Sequence, residues 1–431
     1  MPRFEPFSGI RYNPAHVSLA DVVAPPYDVI SPDERASLQA QSPYNSVRIE
    51  LPDEDDEDPD LDRYQSAARR MARWQAEGVL RRDPTPSFYG YRMSYSDESG
   101  APRHTIGVIG ALGLEPPGTA GIFPHERTTP KAKSDRLQLL EATQINTSPI
   151  WGLSLATGLS EALEASEASE ALETLETLEA SEALEASEAL ETSTPASPVV
   201  DSDGIEHALW PITDPASIAW LTEAVSGAPI VIADGHHRFE TALTYQAKRH
   251  SESAGSPRPY DAVMALIVEL AEPQLSVQAI HRLITGLPEP FDLVGALARH
   301  FVLTPIEADA SATGLLERMV EADSLAVITA SGTWLLHPKP ETTLAATHDL
   351  DSSRLEVALA TLPAHEVTYQ HGLDLARGAV ERGEAQAAVL LRPVTVEQIA
   401  STGRGGERMP PKTTFFWPKP RTGFVFREVT G

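Results

Sequence analysis

Cysteine is absent from this chain. Its absence excludes disulfide bonds, thiolate metal ligands and cysteine nucleophiles, and it is typical of proteins from a reducing compartment. Long apolar runs are also missing, so we expect no membrane-spanning segment, and the N-terminal residues lack the apolar core of a signal peptide. These absences predict a soluble, cytoplasmic protein.

Positively charged residues are scarce relative to negatively charged ones. The chain has 34 Lys and Arg against 62 Asp and Glu, which gives a net charge of −28. Residues 161–191 hold 11 of the glutamates and no Lys or Arg, which leaves a net charge of −17 for the rest of the chain. A surface of this charge repels nucleic acid and anionic membranes. We therefore expect a small-molecule substrate and neither of these larger partners.

Several widespread catalytic motifs are missing as well. The sequence has no P-loop, Rossmann glycine fingerprint, protein-kinase signature set, His-Glu-x-x-His or Gly-x-Ser-x-Gly. The common routes to phosphoryl transfer, hydride transfer, zinc catalysis and serine catalysis therefore lack their motifs.

The length and apolar content of the chain predict a multidomain globular protein. It has 431 residues and is 41% hydrophobic, which is enough for two or three domains. Short apolar runs alternate with helical patterns, and this alternation predicts a mixed α/β fold with α+β layers. The predicted strands are 87–94, 105–112, 229–233, 262–270, 324–328, 333–337 and 387–391, and the predicted helices are 32–41, 61–77, 135–142, 214–226, 236–249, 292–300, 312–321, 352–359, 373–382 and 396–401. The predicted parts are 1–157, 158–198, 199–288, 289–345 and 346–431.

The second of these parts, 158–198, is a low-complexity insertion. Glutamate occupies every third position from 161 to 191. Because an α-helix turns every 3.6 residues, a period of three rotates around the axis and leaves no lasting apolar stripe. The insertion is therefore predicted to be an exposed, fraying helix or disordered, and we assign it no chemistry.

The most informative stretch of the sequence is 230–241. A β-branched run ends at Asp234 and Gly235, and a helical pattern follows. The first turn of a helix offers unpaired N–H groups and the positive end of the macrodipole, which suit an anion. Arg238 adds a planar fork of donors, and Asp234 could cap the helix, bind a metal ion or hold a substrate amine. We predict a binding site formed by Asp234, Gly235, His236, His237 and Arg238, the alternative being a plain turn with surface histidines.

Two further loops offer acid–base groups. Asp28 follows a pair of prolines, which often present a side chain at the edge of a cleft, although an ordinary turn residue is the alternative. His125 and Glu126 form a potential proton-transfer pair or metal ligand set, unless Glu126 simply pairs with a surface cation. Asp28, His125 and Glu126 are the candidate catalytic residues.

A basic segment near the C-terminus could bind phosphate. Residues 404–421 carry five Lys and Arg and one Glu, a local charge of +4 in an acidic chain. Its aromatic residues, 415–417, could stack on a planar group or fill the core as part of an ordinary strand. One short basic island makes few phosphate contacts, so a nucleotide or phosphorylated metabolite fits it better than a nucleic acid. Arg408 and Lys412 are the candidate cofactor-binding residues of this segment.

Together these motifs resemble a bacterial family, the domain of unknown function 1015. The resemblance extends over nearly the whole chain, and the glutamate-rich insertion is a departure from the family pattern. The residues that carry it are Pro6-Phe7 with Arg11, Ala24–Ile30, Asn45 with Arg48, His125-Glu126 with Thr128, Asp135–Leu137, Ser148–Ile150, Ala233–Arg238 with Glu240-Thr241, and Met409–Lys412 with Pro418-Lys419.

The turn at 234–238 also resembles, over this one short motif, the nucleotide-binding turn of the ParB/sulfiredoxin-like superfamily, which includes free-serine kinases. This second resemblance implies a nucleotide-binding core that uses ATP or ADP with Mg²⁺. It implies that residues 234–238 bind phosphate and substrate, and that Asp28 activates the substrate hydroxyl. Glu126 competes with Asp28 for that role.

The leading hypothesis is a phosphotransferase for a small hydroxylated metabolite, with free L-serine as one candidate. Phosphoryl transfer depends on positioning and charge neutralisation more than on covalent chemistry. One alternative is a non-catalytic, nucleotide-binding regulatory protein that uses the same pocket. Another is a metal-dependent hydrolase with His125, Glu126, Asp234 and His236 as ligands.

Overall fold

A computed structural model describes residues 1–54, 60–97, 100–115, 119, 121–124, 130–182, 198–252, 258–306, 312–405, 409–410 and 412–430. The described residues form two compact units. Unit 1 comprises 1–96, 102–275 and 418–431, and unit 2 comprises 97–101 and 276–417. The chain therefore passes between the units at 96/97, 101/102, 275/276 and 417/418, whereas the predicted parts divide elsewhere.

Strands and helices alternate along the described residues, which confirms the predicted mixed α/β class. The strands are β1 (Phe4–Glu5), β2 (Ile10–Tyr12), β3 (Leu80–Arg82), β4 (Phe88–Ser96), β5 (Pro102–Gly113), β6 (Ile122–Pro124), β7 (Ile145–Asn146), β8 (Ile150–Ser154), β9 (Val199–Val200), β10 (Glu206–Ile212), β11 (Ile230–Asp234), β12 (Ala262–Glu269), β13 (Ser276–Gln278), β14 (Ile280–Thr285), β15 (Phe301–Ile306), β16 (Leu325–Thr329), β17 (Gly332–Pro338), β18 (Glu366–His371), β19 (Ala387–Leu390), β20 (Phe415–Trp417) and β21 (Arg427–Glu428). The α-helices are α1 (Leu19–Val22), α2 (Pro32–Gln41), α3 (Val47–Glu50), α4 (Arg63–Ala76), α5 (Pro130–Thr143), α6 (Leu159–Glu182), α7 (Pro215–Ser226), α8 (His236–Glu252), α9 (Leu293–Leu297), α10 (Ala312–Glu321), α11 (Pro340–Ala345), α12 (Asp351–Leu359), α13 (Leu373–Glu381) and α14 (Val396–Gly405).

Unit 1 is built on a mixed sheet with the order β6-β11-β8-β12-β5-β4-β10-β9, and β1 also pairs with β5. The pairs β6·β11 and β8·β12 are parallel, and the other neighbours are antiparallel. Its central strands are apolar on both faces because helices cover them: β12 is buried from Ala262 to Val268. Phe239 and Ala242 of α8 belong to the same buried cluster, so this core fixes the position of α8.

Unit 2 contains a six-stranded antiparallel sheet with the order β15-β17-β16-β19-β14-β18. Alternate residues of its strands enter two separate apolar clusters, as the two-residue period of a strand requires. Val327 lies in one cluster, whereas its neighbours Ala326 and Ile328 lie in the other. A separate ribbon joins β13 and β20.

The low-complexity insertion differs from its prediction at its first residues. The helix α6 begins at Leu159, and both Leu159 and Leu163 are fully buried in the core cluster of unit 1. They lie four residues apart and so share one helix face, which is enough to anchor the first turns although no stripe continues along the segment. The insertion therefore starts as part of the core. Residues 183–197 lie outside the described residues.

Among the helices of the described residues, none combines the length and the apolar content needed to cross a membrane.

Candidate functional site

The turn between β11 and α8 has the strand–turn–helix form that the sequence predicts. Residues 230–233 are buried in the sheet, and the 17-residue helix α8 begins at His236. Gly235 joins them with a φ of +84°, a conformation that favours glycine. A Cβ atom at Gly235 would also lie 3.0 Å from Cγ2 of Ile150, so the close approach of β8 requires glycine here.

Asp234 is held by two cations. One carboxylate oxygen accepts a hydrogen bond of 3.0 Å from Nη2 of Arg238, and the other accepts one from Nζ of Lys419. Burial alone raises the pKa of Asp234, but the charges of Lys419 and Arg238 outweigh burial and hold that pKa well below its ordinary value. Asp234 is therefore ionised at neutral pH.

The Arg238 fork binds groups of the protein itself. Its Nη1 donates to Oγ of Ser148 at 2.9 Å and to the carbonyl oxygen of Pro149, and only 11% of the side chain is exposed. Burial lowers the pKa of Arg238, but the carboxylates of Asp234 and Asp28 raise it overall. Arg238 thus fixes the geometry of the turn, because four of its neighbours are bound or attracted to its guanidinium.

A buried polar layer lies beneath Arg238. The hydroxyl of Ser148 donates to Oε1 of Glu50 at 3.1 Å, and Nη1 of Arg136 donates to the backbone carbonyl of Glu50 at 2.8 Å. The Arg136 guanidinium also lies 4.3 Å from the ring centre of Tyr27, a cation–π contact. Burial raises the pKa of Tyr27 to about 12. This layer connects the turn at 234–238 to the loop that carries Asp28.

Asp28 is exposed, unlike the residues below it. It contributes to the electrostatic environment of both Arg238 and Tyr27, so its carboxylate lies near the guanidinium that holds Asp234. Among the described residues, Asp28 has no ion-pair partner within 4.0 Å. The structure therefore brings together two of the predicted motif regions, the Asp28 loop and the 234–238 turn.

A small cavity of about 40 Å³ adjoins Arg238 on its inner side, lined in part by Glu50, Arg136 and Ser148. Ligand pockets for metabolites are about 300–1,000 Å³, so this space has room for water only.

The remaining predicted site residues have different positions. His236 is buried, with 8% of the residue exposed, and adds to the electrostatic stabilisation of Asp234, whereas His237 is half-buried. Lys412 is exposed and belongs to unit 2, where its carbonyl oxygen accepts a hydrogen bond from Arg282.

His125, Glu126 and Arg408 lie outside the described residues. Within the described part of the chain, no group of three His, Asp or Glu residues could hold a metal ion.

Several residues that build the site had no role predicted from the sequence. Lys419 is the clearest example: the basic segment suggested Lys412, but 418–421 return to unit 1 and bring Lys419 onto Asp234. Ser148 and Arg136 stood within motifs but had no predicted partners. Nothing in the sequence marked Glu50 as a site residue, because the partners of a carboxylate in an apolar stretch cannot be identified from the sequence alone.

A comparison with protein-family models identifies the family. The model described as "Protein of unknown function (DUF1015)" matches residues 4–358. This chain belongs to the DUF1015 family. The family resemblance predicted from the sequence is thereby confirmed, and the match includes Asp28, Glu50, Arg136, Ser148, Asp234 and Arg238.

Solved structures give distant likenesses to this DUF1015 protein. A conserved hypothetical protein from Pyrococcus furiosus is 13% identical over 71% of this chain and 90% of its own, with a TM-score of 0.34. A free serine kinase in complex with AMP is 12% identical over 72% of this chain and 88% of its own, with a TM-score of 0.35. SbnI from Staphylococcus aureus, truncated at its C-terminus, is 10% identical over 73% of this chain and 85% of its own, with a TM-score of 0.36. No curated protein matches the chain.

Proposed function

We propose that the Asp28–Asp234 site transfers a phosphoryl group from a nucleotide to the hydroxyl of a small metabolite. The observation that carries this proposal is the ion pair of Lys419 with Asp234 at the start of α8, together with the exposed Asp28 carboxylate, whose charge acts on Arg238. Phosphoryl transfer needs a site for phosphate charge and an acceptor for the hydroxyl proton. This cluster supplies both kinds of group.

Phosphate binding is supported by the start of α8 and by Lys419. The first N–H groups of a helix have no partner within it, and they lie at the positive end of the helix dipole. The ammonium group of Lys419 places a full positive charge next to the Asp234 carboxylate. A bound phosphate can share this ammonium group with Asp234. Arg238 acts as a positioning residue because its donors already bind Ser148, Pro149 and Asp234.

Asp28 is the proposed proton acceptor. It is exposed and has no ion-pair partner among the described residues, so its carboxylate is available to a substrate hydroxyl. The proton of that hydroxyl passes to Asp28 as its oxygen bonds to phosphorus, while the bond from phosphorus to the leaving nucleotide oxygen breaks. Lys419 stabilises the negative charge that the leaving phosphate retains.

The residues fit a nucleotide with Mg²⁺ in charge and donor type. ATP or ADP would supply the phosphoryl group, with its phosphates on the α8 amides and Lys419. A hydrated Mg²⁺ ion needs only one or two carboxylates in addition to phosphate oxygens, and Asp234 would supply one, which leaves Asp28 to accept the proton. L-Serine is the first substrate to test because the 234–238 turn resembles that of free-serine kinases.

The test is product formation from ATP or ADP with Mg²⁺ and a panel of hydroxyl metabolites headed by L-serine. For an active pair, Asp28→Asn should lower kcat by about 10²–10⁴-fold with little change in the nucleotide KM. Lys419→Met should weaken nucleotide binding by about tenfold or more, because it removes a charged phosphate contact.

The matched control is Lys248→Met. Lys248 lies on the same helix, α8, but is 54% exposed and pairs with Glu141 at 2.7 Å. This control should retain the wild-type rate and nucleotide affinity. Wild-type rates in both site variants would refute the assignment, and tight nucleotide binding without turnover of any substrate would favour a regulatory protein instead.

A further inference from the structure

A second polar cavity lies in unit 1, at residues that the proposed function does not use. Its volume is about 350 Å³, within the range of small-molecule sites. The Pro6-Phe7 motif forms part of its wall, together with β21 and the loop before β12. The charged residues that line it are Arg3, Glu5, Arg82, Arg258, Arg427 and Glu428.

Arg427 is a buried cation in the wall of this cavity. It is 5% exposed, and its two terminal nitrogens donate only to neutral oxygens: the side chain of Asn146 and the carbonyls of Ala262 and Pro259. Its Nε is buried and has no hydrogen-bond partner among the described residues. Burial and the nearby Arg3 lower the pKa of Arg427 to about 10, so the guanidinium is still charged at neutral pH.

The charges around the cavity do not balance. Arg3 lies 3.7 Å from Glu5, and Arg82 pairs with Glu428. The guanidinium groups of Arg258 and Arg427 have no carboxylate within 4.0 Å among the described residues; Asp261 accepts only from the backbone N–H of Arg258, at 2.7 Å. Two positive charges therefore remain, one exposed and one buried, in a chain whose net charge is −28. An isolated buried charge is costly, and a bound counter-ion would offset that cost.

We infer that this cavity binds the phosphate group of a small phosphorylated metabolite or inorganic phosphate. A phosphate monoester carries about −1.5 to −2 charges at pH 7, which matches the two uncompensated guanidinium groups. Guanidinium also matches phosphate oxygens in geometry. The ring of Phe7, with Pro6 and Pro259, gives the cavity an apolar wall for the organic part of an ester.

The experiment is a titration of the full-length protein with inorganic phosphate, followed at the arginine Nε–H resonances by NMR. The Arg427 resonance is identified from its loss in Arg427→Lys. It should shift and saturate with a dissociation constant of about 1 mM or below. The same shift in Lys419→Met would show that binding here is independent of the site proposed for phosphoryl transfer.

Arg258 is exposed, so a substitution there should leave the protein folded even if Arg427→Lys does not fold. Arg258→Gln should weaken phosphate binding at least about fivefold, because it removes one of the two uncompensated charges. Arg81→Gln makes the same change in net charge at an exposed position of β3 that does not line the cavity, and it should bind as wild type does. An Arg427 resonance that does not respond, or equal affinity in Arg258→Gln and Arg81→Gln, would overturn the site.

Two further ligands distinguish the source of the phosphate group. An aryl phosphate such as phenyl phosphate should bind more tightly than inorganic phosphate if the Phe7 wall receives an organic moiety. Equal affinity would assign the site to inorganic phosphate. Malonate should bind more weakly than either, and equal binding of malonate would overturn the preference for phosphate.

Discussion

The ion cluster around Asp234 shows how far single residues could be interpreted from the sequence. The strand, the glycine turn and the helix start at 230–241 were all predicted, because β-branched runs, glycine and helix periodicity are local signals. The partners of its side chains were not predicted. Arg238 was expected to bind phosphate, and its donors bind Ser148 and Pro149, which are neighbours in the chain, and Asp234 in the turn itself.

Ser148 is the residue through which this arrangement can be tested. Its hydroxyl accepts from Arg238 and donates to Glu50, a fully buried carboxylate whose Oε2 has no partner among the described residues. Ser148→Ala should lower the free energy of unfolding by about 1–3 kcal/mol, because it leaves a buried charged group with one partner fewer. Urea denaturation followed by circular dichroism measures this change.

Ser251→Ala is the corresponding control. The Ser251 hydroxyl donates only to the carbonyl of Lys248 near the exposed end of α8. Its loss should change the free energy of unfolding by no more than about 0.5 kcal/mol. Equal effects of the two substitutions would mean that Ser148 does not support the cluster.

At the level of elements, the sequence predicted those that carry local signals. α2 was predicted from Pro32 to Gln41 and has these bounds, because Ser31 and Glu34 form a capping box and Pro32 occupies the first turn. β10 and β14 were missed. Each contains a buried histidine that interrupts the apolar alternation of a strand, and one hydrogen-bond partner of each histidine, Tyr91 or Leu391, lies far away in the sequence.

The histidine of β10 connects that strand to the segment that carries Lys419. His207 is fully buried, donates to Asp201 at 2.8 Å and accepts from the Tyr91 hydroxyl at 2.8 Å. The same hydroxyl accepts from the backbone N–H of Arg421, and the Arg421 side chain binds Asp201. This network holds the chain two residues after Lys419, so we expect it to position the ammonium group.

Burial lowers the pKa of His207 below its ordinary value of 6.5, despite the opposing charge of Asp201. The unfolded chain therefore takes up a proton at a pH where the folded protein does not, and stability should fall as the pH decreases below about 6.5. His207→Gln should reduce the difference in unfolding free energy between pH 7.5 and pH 5.5. An unchanged difference, measured by urea denaturation at both values, would show that His207 does not cause this pH dependence.

The first turns of α6 allow a test of the anchored start of the insertion. Leu163 is fully buried in the core of unit 1, so Leu163→Ala should lower the free energy of unfolding by about 2–5 kcal/mol. Glu161→Ala, two residues away and exposed, should change it by about 0.5 kcal/mol or less. Thermal denaturation of both variants measures the effect, and a similar small change in each would contradict the anchored start.

At the level of the whole molecule, the division into units follows contacts that sequence order does not reveal. The predicted parts were contiguous because composition and periodicity report only on neighbours along the chain. In the structure, 418–431 rejoin unit 1 after the chain has formed unit 2. The basic segment at 404–421, treated as one island in the sequence, is thereby divided between the units.

Separate hydrophobic clusters in the two units predict that each has its own stability. Leu336→Ala removes a fully buried side chain from a cluster of unit 2 and should increase amide hydrogen exchange in β16, β17 and β19. Exchange in β4, β5 and β12 of unit 1 should stay at wild-type rates. Val302→Ala, at a position of β15 that is 54% exposed, is the control, and equal loss of protection in both units would indicate one cooperative core.

The late return of 418–431 to unit 1 has a consequence for biosynthesis. Ribosomes add residues from the N-terminus, so Asp234 emerges long before Lys419 does. A nascent chain that has reached only residue 417 carries a complete set of unit 2 residues but lacks the ammonium group proposed to receive phosphate. A fragment that ends before residue 419 therefore lacks the ammonium partner of Asp234, and the proposed phosphate site is incomplete until that residue has been made.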